Sequence, residues 1–169
     1  MLTEKQVAYI ATIPENKIAI VESFNLEGLR VAQEIISQIK SAVPNLEVEL
    51  RGSLAFKIAG AKDIDISILC ERQNYLRYLS EVEKMFGKNN RIMESSIKWE
   101  FKRDGFHVDL NIIDPSTEFN RKVVLVSGKL KSDQNLLKEY EKMKLSFNGK
   151  SYREYQTAKF EFFNKILGI

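Results

Sequence analysis

The sequence predicts an α+β fold: a mixed β-sheet flanked by helices, with a helical C-terminal extension. Three features predict it. Segments of helical spacing alternate with segments of strand spacing over the first two thirds of the chain. Residues 97–113 read as one hairpin around Asp104-Gly105, a two-residue turn signal. The chain from about Ser116 onward reads as helices.

The elements follow in order. A helix is expected over about residues 3–12, stopping before Pro14 because a residue preceding proline is steered away from helix. Residues 15–24 carry no assignable pattern. Asn25 is a suitable N-cap, and Ala32, Ile35, Ile36 and Ile39 then recur at helical spacing until Val43-Pro44. Leu46, Val48 and Leu50 alternate with Glu47, Glu49 and Arg51, the pattern of a half-buried strand. Gly52-Ser53 breaks that strand, and a short helical turn is expected over Leu54 to Ala59. Asp63 to Cys70 is the next strand. Asn74 opens a helix with Tyr75, Leu79, Val82 and Phe86 on one face and Gly87 as its stop.

Placing the turn at Asp104-Gly105 fixes the hairpin register. It pairs Phe101 with Val108, Trp99 with Leu110, and Ile97 with Ile112, so one face is wholly apolar. The other face pairs Lys102 with His107, Glu100 with Asp109, and Lys98 with Asn111. A slip of one residue would set apolar side chains against polar ones. In the C-terminal part, Leu136, Tyr140 and Met143 mark one apolar stripe, and Tyr155, Ala158, Phe162 and Ile166 another. The expected organisation is a core over residues 1–115 with a helical extension, 116–169, packed on it.

Composition narrows the classes of function. The 169 residues suffice for one domain with an extension, and 44% hydrophobic with 29% charged residues is ordinary for a globular chain. No apolar run approaches the roughly 20 residues a membrane helix needs. The start, Met1 to Gln6, lacks the basic and apolar regions of a signal peptide. The single cysteine, Cys70, cannot form an internal disulfide and reads as a core thiol, so a cytoplasmic setting with no membrane partner is expected. The net charge of +3 is unevenly spread. Residues 1–120 hold 15 basic and 18 acidic residues, whereas residues 121–169 hold 11 and 5. The basic last third is either a set of solvated helical faces or a surface that receives phosphates.

Three short segments carry chemistry. Gly52-Ser53 closes one strand, Asp63-Ile64-Asp65-Ile66 opens the next, and His107-Val108-Asp109-Leu110 lies on the hairpin. Residues i and i+2 of a strand share a face, so Asp63 and Asp65 project together while Ile64 and Ile66 bury. Two carboxylates so close repel unless a cation lies between them, and a hard divalent ion, Mg²⁺ or Mn²⁺, suits such oxygens together with substrate phosphates. Asp109, on the polar face of the hairpin, can complete a site for two ions, which would stabilise the attacking and leaving oxygens of a phosphoryl displacement. Gly52 lets the backbone approach a phosphate, Ser53 offers a hydroxyl, and the helical turn after them aims N–H groups at the same place. The plainer reading leaves Asp63 and Asp65 as the solvated face of a strand. Asp114 rivals Asp109, but Asp114-Pro115 reads as a turn or helix start. His107 shares the polar face and could move a proton, though a histidine beside a turn is commonly incidental. Glu100 falls opposite Asp109, a like-charge pair that requires a metal, Lys98 or Lys102 to offset it, or simple hydration.

Gly52-Ser53, Asp63-x-Asp65 and Asp109 together resemble the signature of the DNA polymerase beta-like nucleotidyltransferases, over roughly residues 46–113. The resemblance implies that Gly52 and Ser53 hold a nucleoside triphosphate such as ATP. It also implies that Asp63 and Asp65 bind two metals, and that Asp109 completes the metal site near the attacking hydroxyl. A closer likeness is to the GrpB-like branch, with Tyr-x-x-apolar-Lys patterns at Tyr140 to Lys144 and Tyr155 to Lys159, and Ala61-Lys62 before the paired acids. It makes Lys62, Lys144 and Lys159 candidate nucleotide-binding residues. The two C-terminal lysines lie four residues from their tyrosines, at the margin of a packed face. The chain departs from that branch in having Leu54-Ala55-Phe56-Lys57-Ile58 after Gly-Ser where Thr-Ser-x-Pro-Gly is usual, and in carrying all three acids.

The expected function is transfer of a nucleoside monophosphate from a nucleoside triphosphate to a hydroxyl, with release of pyrophosphate. The acceptor is left open between an RNA 3′ end, a small molecule and a protein side chain. The alternative is a nucleotide- or RNA-binding module of the same fold without turnover. An interaction protein such as an antitoxin-like partner is a third reading. No RNA-binding motif and no run of interleaved basic and aromatic residues is present.

Overall fold

A computed structural model describes residues 1–93 and 96–169. The elements are α1 (Glu4–Ala11), α2 (Leu26–Ala42), β1 (Glu47–Arg51), α3 (Gly52–Phe56), β2 (Asp63–Leu69), α4 (Tyr75–Phe86), β3 (Arg91–Met93), β4 (Ser96–Arg103), β5 (Phe106–Ile113), α5 (Glu118–Ser132), α6 (Gln134–Ser146) and α7 (Tyr152–Leu167). A 3-10 turn over Arg72–Asn74 leads into α4. The fold is α+β, with a mixed five-stranded sheet, flanking helices and a helical C-terminal region. Among the described residues, no helix is long and apolar enough to cross a membrane. The chain divides into two compact units. One comprises residues 25–57 and 62–121, the other residues 1–24, 58–61 and 122–169.

The first unit is built on the sheet, in the order β1-β2-β5-β4-β3. β2 and β5 run parallel, and the other neighbours are antiparallel. The hairpin has the register that its turn and alternation predict, with Trp99 opposite Leu110 and Glu100 opposite Asp109. Asp104 and Gly105 both take positive φ, 51° and 79°, the backbone that a tight two-residue hairpin turn needs. Every second residue of the central strands then points to one apolar face. Ile64, Ile66, Ile68, Val108, Leu110 and Ile112 are wholly buried there. The apolar stripe of α2, Val31, Ala32, Ile35 and Ile39, is equally buried. Trp99 joins this core and satisfies its indole N–H by donating to the Gly87 carbonyl at 2.9 Å, at the end of α4. Cys70 is buried, and burial pushes its thiol up to about 11, as befits a core thiol rather than a reactive one.

The start of α2 is fixed by Asn25, whose side-chain oxygen accepts from the backbone N–H groups of Glu27 at 2.9 Å and Gly28 at 3.2 Å. Two helix N–H groups that would otherwise lack partners are thereby satisfied. Asn25→Ala is expected to cost about 1 kcal/mol in urea unfolding, while Asn25→Ser or Asn25→Asp costs much less. An unchanged midpoint for the alanine variant would remove the cap from the account of this helix.

In the second unit, α1 is closed by a capping box. The Thr3 hydroxyl accepts from the Gln6 N–H, and the Gln6 side chain accepts from the Thr3 N–H. Gln6 also donates to Asn164 of α7 at 2.9 Å, and Asn164, almost wholly buried, donates to the Met1 carbonyl at 2.7 Å. The apolar stripes expected on α6 and α7 meet: the Tyr140 ring lies 5.2 Å from Phe162 and 5.3 Å from Phe163. Residues 15–24, which carry no local pattern, make isolated bridges from Ile18 to Ser151 and from Glu22 to Gly60.

Candidate functional site

The register turns the polar face of the sheet into rows. Directly paired residues share a face and sit about 5 Å apart. Asp65 pairs with Arg51 on β1 and with Asp109 on β5, and Asp109 pairs in turn with Glu100 on β4. One row across four strands is therefore Arg51, Asp65, Asp109, Glu100. The next row holds Asp63, His107 and Lys102, and the row on the other side holds Glu49, Ser67, Asn111 and Lys98. Asp63, Asp65 and Asp109 thus stand on one face, at neighbouring positions of two parallel strands. β5 comes from a part of the chain distant from β1 and β2, and only the sheet brings Asp109 beside Asp65.

Three carboxylates in one row require positive charge nearby. Arg51 lies at one end, its guanidinium 3.1 Å from Glu49. Lys98 lies at the other end, its ammonium 2.6 Å from Glu100 and 2.9 Å from Asp109 Oδ1. Burial works against the charge of Lys98, but the two carboxylates outweigh it and raise its pKa. The bond from Lys98 in turn holds the Glu100 carboxyl below its ordinary range. His107 Nε2 is 3.5 Å from the same Asp109 oxygen, and its ring is about half exposed. Ligand atoms of Glu100, His107 and Asp109 all lie within 4.8 Å of one another.

Two buried side-chain atoms among the described residues have no hydrogen-bond partner: Asp109 Oδ1 and Arg51 Nε. Both belong to this row. The Lys98 ammonium nonetheless lies 2.9 Å from Asp109 Oδ1 and holds that oxygen by charge. A buried polar atom left without a partner costs roughly 1–3 kcal/mol, and at Asp109 the Lys98 charge offsets that cost.

Gly52 meets this row from the end of β1. Its φ is +65°, and a Cβ added there would lie 2.0 Å from Asp65 Oδ2. The backbone at Gly52 therefore sits directly on the Asp65 carboxylate, with Ser53 next to it at the start of α3. Gly52, Ser53, Asp63, Asp65 and Asp109 all fall within the sheet unit.

Lys62 is in the same unit, exposed and just before β2. It precedes Asp63, and its ammonium lies 5.1 Å from the centroid of the Phe106 ring, whose side chain belongs to the apolar side. Lys144 and Lys159 belong to the other unit. Lys144 is buried, 3% exposed, with its ammonium 5.5 Å from the Tyr140 ring, so it is enclosed where a marginal, outward-reaching lysine was expected. Lys159 lies 5.8 Å from the Phe163 ring. Asp114 builds the turn expected of it. Its carboxylate accepts from the Ser116 N–H and hydroxyl at 2.8 and 2.7 Å and from the Arg72 N–H at 3.2 Å, which lowers its pKa.

Arg51 is the residue of this row that sequence reasoning passed over. Its alternation with Leu50 assigns it a polar face, but only the pairing of β1 with β2, set by no short turn, makes it the neighbour of Asp65.

No family model matches the chain, and no curated protein matches it. Eleven chains of solved structures match. One is a cytoplasmic RNA terminal U-transferase, 17% identical with a TM-score of 0.44. The match covers 79% of this chain and 43% of that one, so the present chain spans less than half the length of that protein. The likeness is a distant one of fold.

Proposed function

We propose that the protein is a metal-dependent nucleotidyltransferase of the polymerase beta-like kind, moving a nucleoside monophosphate from a nucleoside triphosphate to a hydroxyl. The observation that carries this reading is the pairing of Asp65 with Asp109 on parallel strands, with the backbone of Gly52 against the Asp65 carboxylate.

The donors fit a hard divalent cation such as Mg²⁺ or Mn²⁺. They are carboxylate oxygens on one face, and one of them, the buried Asp109 Oδ1, already faces a positive charge, the Lys98 ammonium at 2.9 Å. Asp63, Asp65 and Asp109 would hold the ions. Bound ions would supply charge neutralisation on the triphosphate and a more acidic acceptor hydroxyl. The protein's own groups do the rest. Gly52, with no side chain, lets the phosphates come close to the backbone. The Ser53 hydroxyl donates to a phosphate oxygen of the leaving portion. Asp109 faces the acceptor and orients its hydroxyl. In the displacement, a bond forms between the acceptor oxygen and the α-phosphorus, and the bond from that phosphorus to pyrophosphate breaks. The acceptor's proton leaves to Asp109 or to solvent. Lys62, Lys144 and Lys159 are not needed for this reading.

A second reading, binding of nucleotide without turnover, draws on the Lys98 contact, which occupies an oxygen of Asp109. One experiment separates the two. The protein is incubated with ATP, GTP, CTP and UTP in turn, with Mg²⁺ or Mn²⁺ and a mixture of RNA and small hydroxyl acceptors, and pyrophosphate is measured. Release with at least one triphosphate is expected. Tight triphosphate binding without pyrophosphate would favour the binding module, and neither binding nor release would sink both.

Ser53→Ala is expected to weaken triphosphate binding about tenfold, the value of one hydrogen bond to a charged group, and to leave nucleoside binding nearly unchanged. Equal loss for both ligands, measured by calorimetry, would count against a phosphate role for this hydroxyl.

A further inference from the structure

We infer that Lys98 is the resident counter-ion of the acidic row: its ammonium holds Asp109 until a divalent cation displaces it, and Glu100 keeps it close at hand. The inference rests on the metal-site reading above and concerns how that site is regulated.

The geometry is that of a shared charge. Lys98 and Glu100 are two apart on β4, so they share the polar face, and Glu100 is the direct partner of Asp109. The ammonium stands 2.6 Å from one carboxylate and 2.9 Å from an oxygen of the other. Both the Lys98 and the Asp109 side chains are about three-quarters buried, which limits screening by water and salt. The oxygen that Lys98 touches is buried on the polar face of the sheet, the position at which Asp109 would offer itself to a cation. An ammonium and a metal ion cannot both lie against that oxygen. Occupancy by one therefore weakens occupancy by the other, and the coupling is reciprocal. Glu100 gives the displaced ammonium a second partner within reach, so Lys98 can release Asp109 without losing every ionic contact. Without Lys98, Glu100 and Asp109 would be like charges facing each other across the hairpin, which is destabilising.

The test is Mn²⁺ affinity, measured by calorimetry at low salt on the intact chain, with and without a non-hydrolysable nucleoside triphosphate analogue. Lys98→Met removes the competing charge and is expected to tighten Mn²⁺ binding about tenfold or more, since one opposite charge at this range moves an ionic equilibrium by one to three decades. Lys98→Arg, which keeps the charge, is expected to stay near wild type. Glu100→Gln leaves the ammonium with Asp109 alone and is expected to weaken Mn²⁺ several-fold, and to do less in the Lys98→Met background. The thermal midpoint gives a second reading: Lys98→Met without metal should melt below wild type, and saturating Mn²⁺ should raise it more than it raises wild type. Unchanged or weaker Mn²⁺ binding in Lys98→Met overturns the inference. Asp65→Asn and Asp109→Asn distinguish the two levels. If wild type binds Mn²⁺ and both variants abolish it while Lys98→Met has no effect, the site stands and the counter-ion role falls. If neither wild type nor Lys98→Met binds Mn²⁺ under any condition, both fall.

Discussion

Asp65→Asn is expected to abolish nucleotidyl transfer, by about a thousandfold or more, because charge stabilisation by a bound ion is worth several kcal/mol. The substitution keeps the shape of the side chain and removes its charge. Asp65 is central in its row, between Arg51 on one strand and Asp109 on the other, and it is the carboxylate against which Gly52 is built. Its neighbours on the chain, Ile64 and Ile66, are wholly buried on the opposite face, so the strand keeps its core contacts when the carboxylate is changed. The variant should fold, with the circular-dichroism spectrum of the parent. Glu47→Gln is the control: Glu47 is an exposed carboxylate at the far end of β1, opposite Leu69, and its removal should leave turnover within a few-fold. Pyrophosphate release is the assay. A loss of less than about tenfold in Asp65→Asn would mean that no ion essential to the reaction depends on this carboxylate.

Most of the sheet unit is legible in the sequence because its signals are local. A two-residue turn with compatible alternation on both sides determines the β4–β5 register, and each predicted pair forms. The cap at Asn25, the stop at Gly87 and the break at Gly52 are single residues acting on their own neighbourhood. Elements without such signals are not legible. β3 is three residues long, Arg91–Met93, all exposed, and has no alternation to read. In residues 15–24, Ala19 and Val21 are buried while Ile18 and Ile20 are exposed, so an apolar residue stands on both faces and the period disappears. That segment's bridges reach Gly60 and Ser151, partners that no local pattern names.

The candidate site divides the same way. That Asp63 and Asp65 share a face follows from strand alternation alone, and that Glu100 faces Asp109 follows from the hairpin. The charge between the latter pair is resolved by Lys98, one of the compensating groups that the register itself offers. The adjacency of Asp65 and Asp109 is different in kind. It depends on a parallel pairing across the connection from β2 to β5, whose register no turn sets, so sequence supplies it only through family resemblance. The candidacy of Lys62 comes from the family likeness alone, and the residue stands just before β2 with its ammonium against the Phe106 ring.

Gly52→Ala is expected to destabilise the protein by about 2 kcal/mol and to lower turnover about a hundredfold, through two separable effects. The first is conformational. Gly52 has φ +65°, where a Cβ meets the neighbouring carbonyl, at a cost of about 1–2 kcal/mol. The second is contact. The added carbon would lie 2.0 Å from Asp65 Oδ2 and 3.0 Å from its Cγ, far inside the roughly 3.5 Å of ordinary contact. The carboxylate is the far end of a short side chain and can turn aside, at about 0.5–1.5 kcal/mol if it leaves its rotamer well. Turning away takes it from the position that an ion and a triphosphate would use, and a displacement of about 1 Å at such a site costs about two decades in rate. A double-mutant cycle separates the effects. In an Asp65→Ala background the added carbon no longer meets the carboxylate, so Gly52→Ala should cost only the conformational part in urea unfolding. With Asp65 present it should cost more and should weaken Mn²⁺ binding as well. If Gly52→Ala costs the same in both backgrounds and Mn²⁺ affinity is unaltered, the glycine serves the turn alone and has no part in seating Asp65.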